Sequence, residues 1–235
     1  MKLTSLALGA IILSTPMVAG AREYGHYDLG QVATLAHSAD GQNSVTVSFS
    51  YLDQIIDDLA SHASGYPPHF DSADDLARAR ADVGSLSGML DMLLHRPAPN
   101  SQLLLRAGIL DSFGHNLDVP GAAQKAVGAF TTLLHQSPDD PRANYFYGKF
   151  LTDAGRPDDA IPILEKAKSL GVPAASYTLG VAYLTAGNME KALENLRAYV
   201  QRTPHDPNAD RMIDAIRTGR IQFRQGKPGS DSQSK

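Results

Sequence analysis

Eight histidines and two acidic clusters are the side chains with which this chain could most readily do chemistry. A metal pair on one helix face needs histidines three or four positions apart. His26, His37, His62, His69, His95, His115, His135 and His205 offer no such spacing, so no metal is expected. Asp57-Asp58 and the group Asp71, Asp74, Asp75 could in principle share acid–base work. The plainer account is a solvated helix face and a first helical turn, where the helix dipole favours negative charge. No calcium loop, phosphate loop, dinucleotide glycine motif or serine elbow is present. Cysteine is absent altogether, which removes thiol catalysis, disulfides, iron–sulfur clusters, thiolate zinc sites and a lipidated cysteine anchor. The alternative is an envelope enzyme with its site in residues 45–100, where Asp57, His62, His69 and Asp75 are the side chains to suspect and the later part of the chain would recruit substrate. No cofactor is expected, and the chain reads as a non-enzyme.

What must position anything functional is 235 residues long, with 21 basic against 25 acidic side chains and a net charge of -4. That balance gives no basic stripe for displacing counterions, so nucleic acid is not expected as a partner. Residues 1–21 read as an export leader. Lys2 supplies the positive start, Leu3 to Leu13 the apolar stretch, and Ala19-Gly20-Ala21 the small residues that a signal peptidase reads, which places the cut before Arg22. The apolar stretch is too short to span a bilayer, since spanning takes about 20 residues, and no later segment is long enough. A periplasmic or secreted protein with no covalent tether is expected.

Beyond the leader, residues 22–44 show weak periodicity and read as a loosely ordered arm. Val45 to Phe49 alternates as a strand would, without an obvious pairing neighbour. Tyr51, Leu52, Ile55, Ile56 and Leu59 then take helical spacing, which favours a helix from about Ser48 to Ser64. Gly65-Tyr66-Pro67-Pro68 breaks it. A second helix follows, capped by Asp71 or Ser72 and carrying Leu76, Ala79, Val83, Leu86, Leu90, Leu93 and Leu94 on one face. Residues 45–100 thus read as a helical hairpin, either a degenerate copy of the repeat that follows or a separate element.

From Ser101 the chain repeats itself. Gly121 to Ala126 with Phe130, Leu133 and Pro138 can be laid over Gly155 to Ala160 with Leu164 and Ala167, and over Gly187 to Ala192 with Leu196, Tyr199 and Pro204. The later copies share Tyr147-Gly148 and Leu179-Gly180 upstream. Gly148 and Gly180, facing Ala160 and Ala192, would let two helices approach closely, and Gly155 and Gly187 would end the first helix at positive φ. In the first copy the upstream helix, Leu103 to Gly108, stands six residues early, with His115 to Pro120 as an enlarged loop.

These residues resemble the tetratricopeptide repeat family, whose unit is an antiparallel pair of helices, A and B. The resemblance covers 101–206, as 101–140, 141–172 and 173–206, and implies an all-α right-handed solenoid of helical hairpins. Residues 207–224 would be a capping helix with Met212, Ile213, Ile216 and Ile221, and residues 225–235 a disordered tail. In that family the second, fifth, ninth and twelfth residues of helix A line a groove for a peptide. Carried over, they are Arg142, Tyr145, Lys149 and Thr152 in one repeat, and Ala174, Tyr177, Val181 and Leu184 in the next. The family's carboxylate-clamp pattern is not reproduced, because a lysine stands where that pattern wants asparagine. The resemblance implies a module that binds a protein or peptide partner, as an envelope adaptor or assembly factor, or as a chaperone for an exported client.

Overall fold

The computed structural model describes residues 23–37, 43–95 and 99–220. The leader at 1–21, Ile221 and the tail at 225–235 lie outside them. The described residues form a short antiparallel hairpin and nine α-helices. β1 (Ala33–His37) pairs with β2 (Asn43–Val47), placing Ala33 opposite Val47. The helices are α1 (Phe49–Ala63), α2 (Ala73–Leu94), α3 (Ser101–Asn116), α4 (Ala122–Gln136), α5 (Pro141–Asp153), α6 (Pro157–Ser169), α7 (Ala174–Thr185), α8 (Met189–Arg202) and α9 (Pro207–Arg217).

Local chemistry sets the helix starts. Asp140 and Asp206 accept hydrogen bonds from the free amides of Ala143 and of Asn208 and Ala209, and in both helices proline takes the first position. There it loses no ladder bond. Ser72 rather than Asp71 caps α2, accepting from the Asp75 amide. α5 and α7 end in glycines at φ +70° (Gly155) and +79° (Gly187), the left-handed turn that costs glycine least.

From α3 onward the helices pack as successive antiparallel pairs: α3 with α4, α5 with α6, α7 with α8. α9 lies on α8 with Ala209, Ala215 and Ile216 buried. One contact recurs in every pair. A Cβ on Gly108, Gly148 or Gly180 would run into Phe130, Leu164 or Leu196 respectively. Leu164, rather than Ala160, is therefore what Gly148 faces. This crossing also places α3 in register as helix A of the first repeat. Twenty-two residues separate Gly108 from Phe130, against sixteen in each later pair. The extra length is not all loop, because His115 and Asn116 remain helical and Leu117 is buried behind them.

The N-terminal part departs most from the sequence reading. β2 does have a neighbour, β1, supplied by the arm itself. The arm is anchored rather than loose: Tyr24 and Val32 are fully buried. α1 and α2 do not form a tight hairpin; each packs on α3, and the arm runs between them. Irregularly spaced aromatics such as Tyr24 and Tyr27 leave no periodic signal, yet one buried tyrosine ring holds as much apolar surface as several smaller residues.

Candidate functional site

Helix A of each repeat turns one face away from its partner helix B, and the residues carried over from the resemblance fall on α5 and α7. Arg142 is exposed and pairs with no carboxylate among the described residues. Tyr145, Tyr177 and Val181 are half-buried. Thr152 and Leu184 are buried, and the Thr152 hydroxyl donates back to the Gly148 carbonyl at 2.9 Å. Those two serve packing, because the twelfth position points into the stack at the end of so short a helix. Lys149 is committed as well. Its Nζ donates to Asp153 Oδ2 and to the Ser64 carbonyl at the end of α1, each at 2.5 Å. Burial raises the Asp153 pKa, and Lys149 opposes that shift.

No ring contact joins Tyr145 to Tyr177. Tyr145 stands edge-on to Phe146 at 5.2 Å between centroids, and Tyr177 packs on Tyr199 of α8 at 5.3 Å. The sequence reading gives Tyr199 as a repeat position of helix B and does not place it beside the groove residues of helix A. Its signal was available: it stands where the earlier repeats carry the fully buried Leu133 and Ala167. The Tyr199 hydroxyl donates to Asp206 Oδ2 at 2.9 Å. Burial would raise the Asp206 carboxyl, but the Tyr199 hydroxyl and the amides of Ala209 and Asn208 hold it below its usual range. Burial, then the Asp206 charge, pushes the Tyr177 hydroxyl up. The result is an aromatic strip in which Tyr199 lies near both Tyr177 and Tyr145, with Arg142 one helical turn before Tyr145.

The four side chains considered for catalysis do not converge. Asp57 and His69 are exposed, while His62 and Asp75 are buried. His69 takes part through its backbone only, its carbonyl lying 3.1 Å from His62 Nδ1. Asp75 is held by Arg78 at 2.5 Å. It is Asp58, not Asp57, that faces inward. Its Oδ2 accepts from the Gly25 amide and the Tyr27 hydroxyl, both at 2.8 Å. Its Oδ1 faces His62 Nε2 at 3.7 Å, and neither atom has a hydrogen-bond partner among the described residues. The Tyr24 hydroxyl donates to Asp82 at 3.1 Å, and Arg78 donates to the Tyr24 carbonyl at 2.7 Å. This arrangement fastens a backbone segment; no group of three metal-ligating side chains occurs among the described residues.

Two overlapping stretches, 120–169 and 153–216, match a known family. The matching family model is that of the tetratricopeptide repeat. The match takes in α4 to α9, and the recurring glycine crossing adds α3 to the same array. A solved structure described as "MamA RS-1 ArsTM double mutant" shares the repeat fold with a TM-score of 0.52 and 22% identity, over 63% of this chain and 83% of that one. No curated protein matches. No helix among the described residues is long and apolar enough to cross a membrane.

Proposed function

We propose that this repeat protein is an exported interaction module, without chemistry of its own, that holds an extended protein segment along the helix A face of α5 and α7. The observation that carries this reading is the strip of half-buried tyrosines beside Arg142, which meets no carboxylate among the described residues. Tyrosine rings offer large contact area for little lost side-chain entropy, and a guanidinium supplies directional donors for an acidic or carbonyl-rich segment. Tetratricopeptide repeats themselves support a protein partner. The leader motif Ala19-Gly20-Ala21 supports a periplasmic or secreted setting, where an adaptor or assembly role in the envelope suits the fold. Lys149 contributes less to this surface, because Ser64 and Asp153 occupy two of its three donors.

The test is calorimetric titration of the partner recovered from periplasmic extract. The double variant Tyr145→Ala, Tyr177→Ala should lose about 2 kcal/mol or more of binding free energy, as central aromatic anchors do. Arg142→Ala should slow association and reduce its salt dependence. Full affinity in both variants would place the binding surface elsewhere.

A further inference from the structure

The recurring glycine crossing makes the three A helices directly comparable. Counting from Gly108, Gly148 and Gly180, Leu105 corresponds to Tyr145 and Tyr177, and Ile109 to Lys149 and Val181. In the second and third repeats these positions are half-exposed. In the first they are shut, at 2% for Leu105 and 5% for Ile109. Something covers the groove face of α3.

α1 is the element in place to do so. Near its start, Asp53 takes two bonds of 2.7 Å from the Arg106 guanidinium, which also lies 4.5 Å over the Phe49 ring. Near its end, the Ala63 carbonyl accepts from Asn116 Nδ2 at 2.8 Å, and the Ser64 carbonyl accepts from Lys149. Lys149 belongs to α5, one repeat further on, at the register of Ile109. A helix merely stacked beside α3 at the end of the array would not reach it; a helix lying across the groove face does.

α1 is held there by the arm rather than by α2. Residues Tyr24 to Asp28 form a strap between the two helices. The strap is bonded to α1 through Asp58 and through the Tyr51 hydroxyl, which accepts from the Asp28 amide at 2.9 Å. It is bonded to α2 through Arg78 and Asp82. Most of these bonds are made by the strap's own backbone, so the slot between α1 and α2 holds the strap as a bound peptide.

We propose that α1, clasped by the strap Tyr24–Asp28, is a built-in cover over the first repeat's share of the groove, and that releasing the strap uncovers Leu105 and Ile109 as additional binding surface. The proposal rests on reading the helix A face as a groove. Its test needs no partner, so it stands or falls separately from that reading.

The absence of cysteine allows a single thiol to report the cover. In the full mature chain, Ile109→Cys and, separately, Val181→Cys are reacted with a maleimide, each with and without Tyr24→Ala. The thiol at 181 should label quickly in both backgrounds. The thiol at 109 should label at least 100-fold more slowly while the strap is intact, and at least 10-fold faster once Tyr24→Ala is added. A third thiol, Ala160→Cys, sits fully buried within the α5–α6 pair and should stay protected throughout. Equal labelling at 109 and 181 with the strap intact would overturn the cover. Unchanged protection at 109 in the strap variant would overturn the clasp. Equal exposure of 109 and 160 would show general unfolding and overturn both. Should Tyr24→Ala fail to fold, Tyr27→Phe removes one strap hydroxyl and carries the same comparison, with acceleration at 109 alone the supporting result and no acceleration the contrary one.

Discussion

Gly148 of α5 is pressed against Leu164 of α6 so closely that a Cβ atom on it would lie 2.5 Å from Leu164 Cγ. The obstructing atom is a branch point close to the backbone, so no rotation of a flexible end relieves it. Glycine inside a helix ordinarily costs about 0.5–1 kcal/mol relative to alanine. Here we expect Gly148→Ala to destabilise by about 1–3 kcal/mol through overpacking. Gly128 of α4 is the internal control, since a Cβ there meets nothing within 4 Å. Gly128→Ala should stabilise by about 0.5–1 kcal/mol. Chemical denaturation of both variants checks the sign reversal.

Lys149 ties the second repeat to the N-terminal part through the Ser64 carbonyl. Lys149→Met keeps most of the side-chain stem while removing that bond and the Asp153 partner. We expect a loss of about 1–2 kcal/mol, in the range for hydrogen bonds to charged groups. Because the lysine is already engaged, partner affinity should change little. A large loss of affinity with unchanged stability, read by titration beside melting curves, would return Lys149 to the binding surface.

Asp111 of α3 is 2% exposed, and its Oδ1 has no hydrogen-bond partner among the described residues. Burial raises its pKa to about 6, against the opposing pull of Ser87 and Lys125. The folded protein therefore takes up this proton before the unfolded chain does. The stability it brings is fully present below about pH 4 and is lost as pH rises through about 6. Relative to an Asp111→Asn variant, the wild type should lose roughly 2–3 kcal/mol between pH 4 and pH 7. Denaturant titrations of the pair at both pH values test this, and a constant difference would contradict it.

Export with cleavage after Ala21 would leave Arg22 as the first residue, two positions before the buried Tyr24. N-terminal sequencing of material from the periplasm or medium should read Arg22-Glu23-Tyr24. Secreted material still beginning at Met1 would remove the leader assignment.

The sequence by itself determined the repeat array. A glycine that must admit a leucine from the facing helix, and a glycine that must turn at positive φ, are demands of local geometry, and each recurs at a fixed spacing from α5 to α8. Asp140-Pro141 and Asp206-Pro207 mark helix starts for the same local reason. Only the tertiary structure decided what happens before Ser101. There the contacts run between residues tens of positions apart with no period: Tyr24 to Asp82, Asp53 to Arg106, Ser64 to Lys149. Spacing could place Lys149 on the groove face, but a carbonyl 85 residues earlier accepts one of its hydrogen bonds and Asp153 pairs with its charge, and the stack closed over Thr152 and Leu184. Periodicity records which face of a helix is buried. It carries no record of which distant segment does the burying, and that choice made a loose-looking arm into a strap and the first stretch of groove into a covered one.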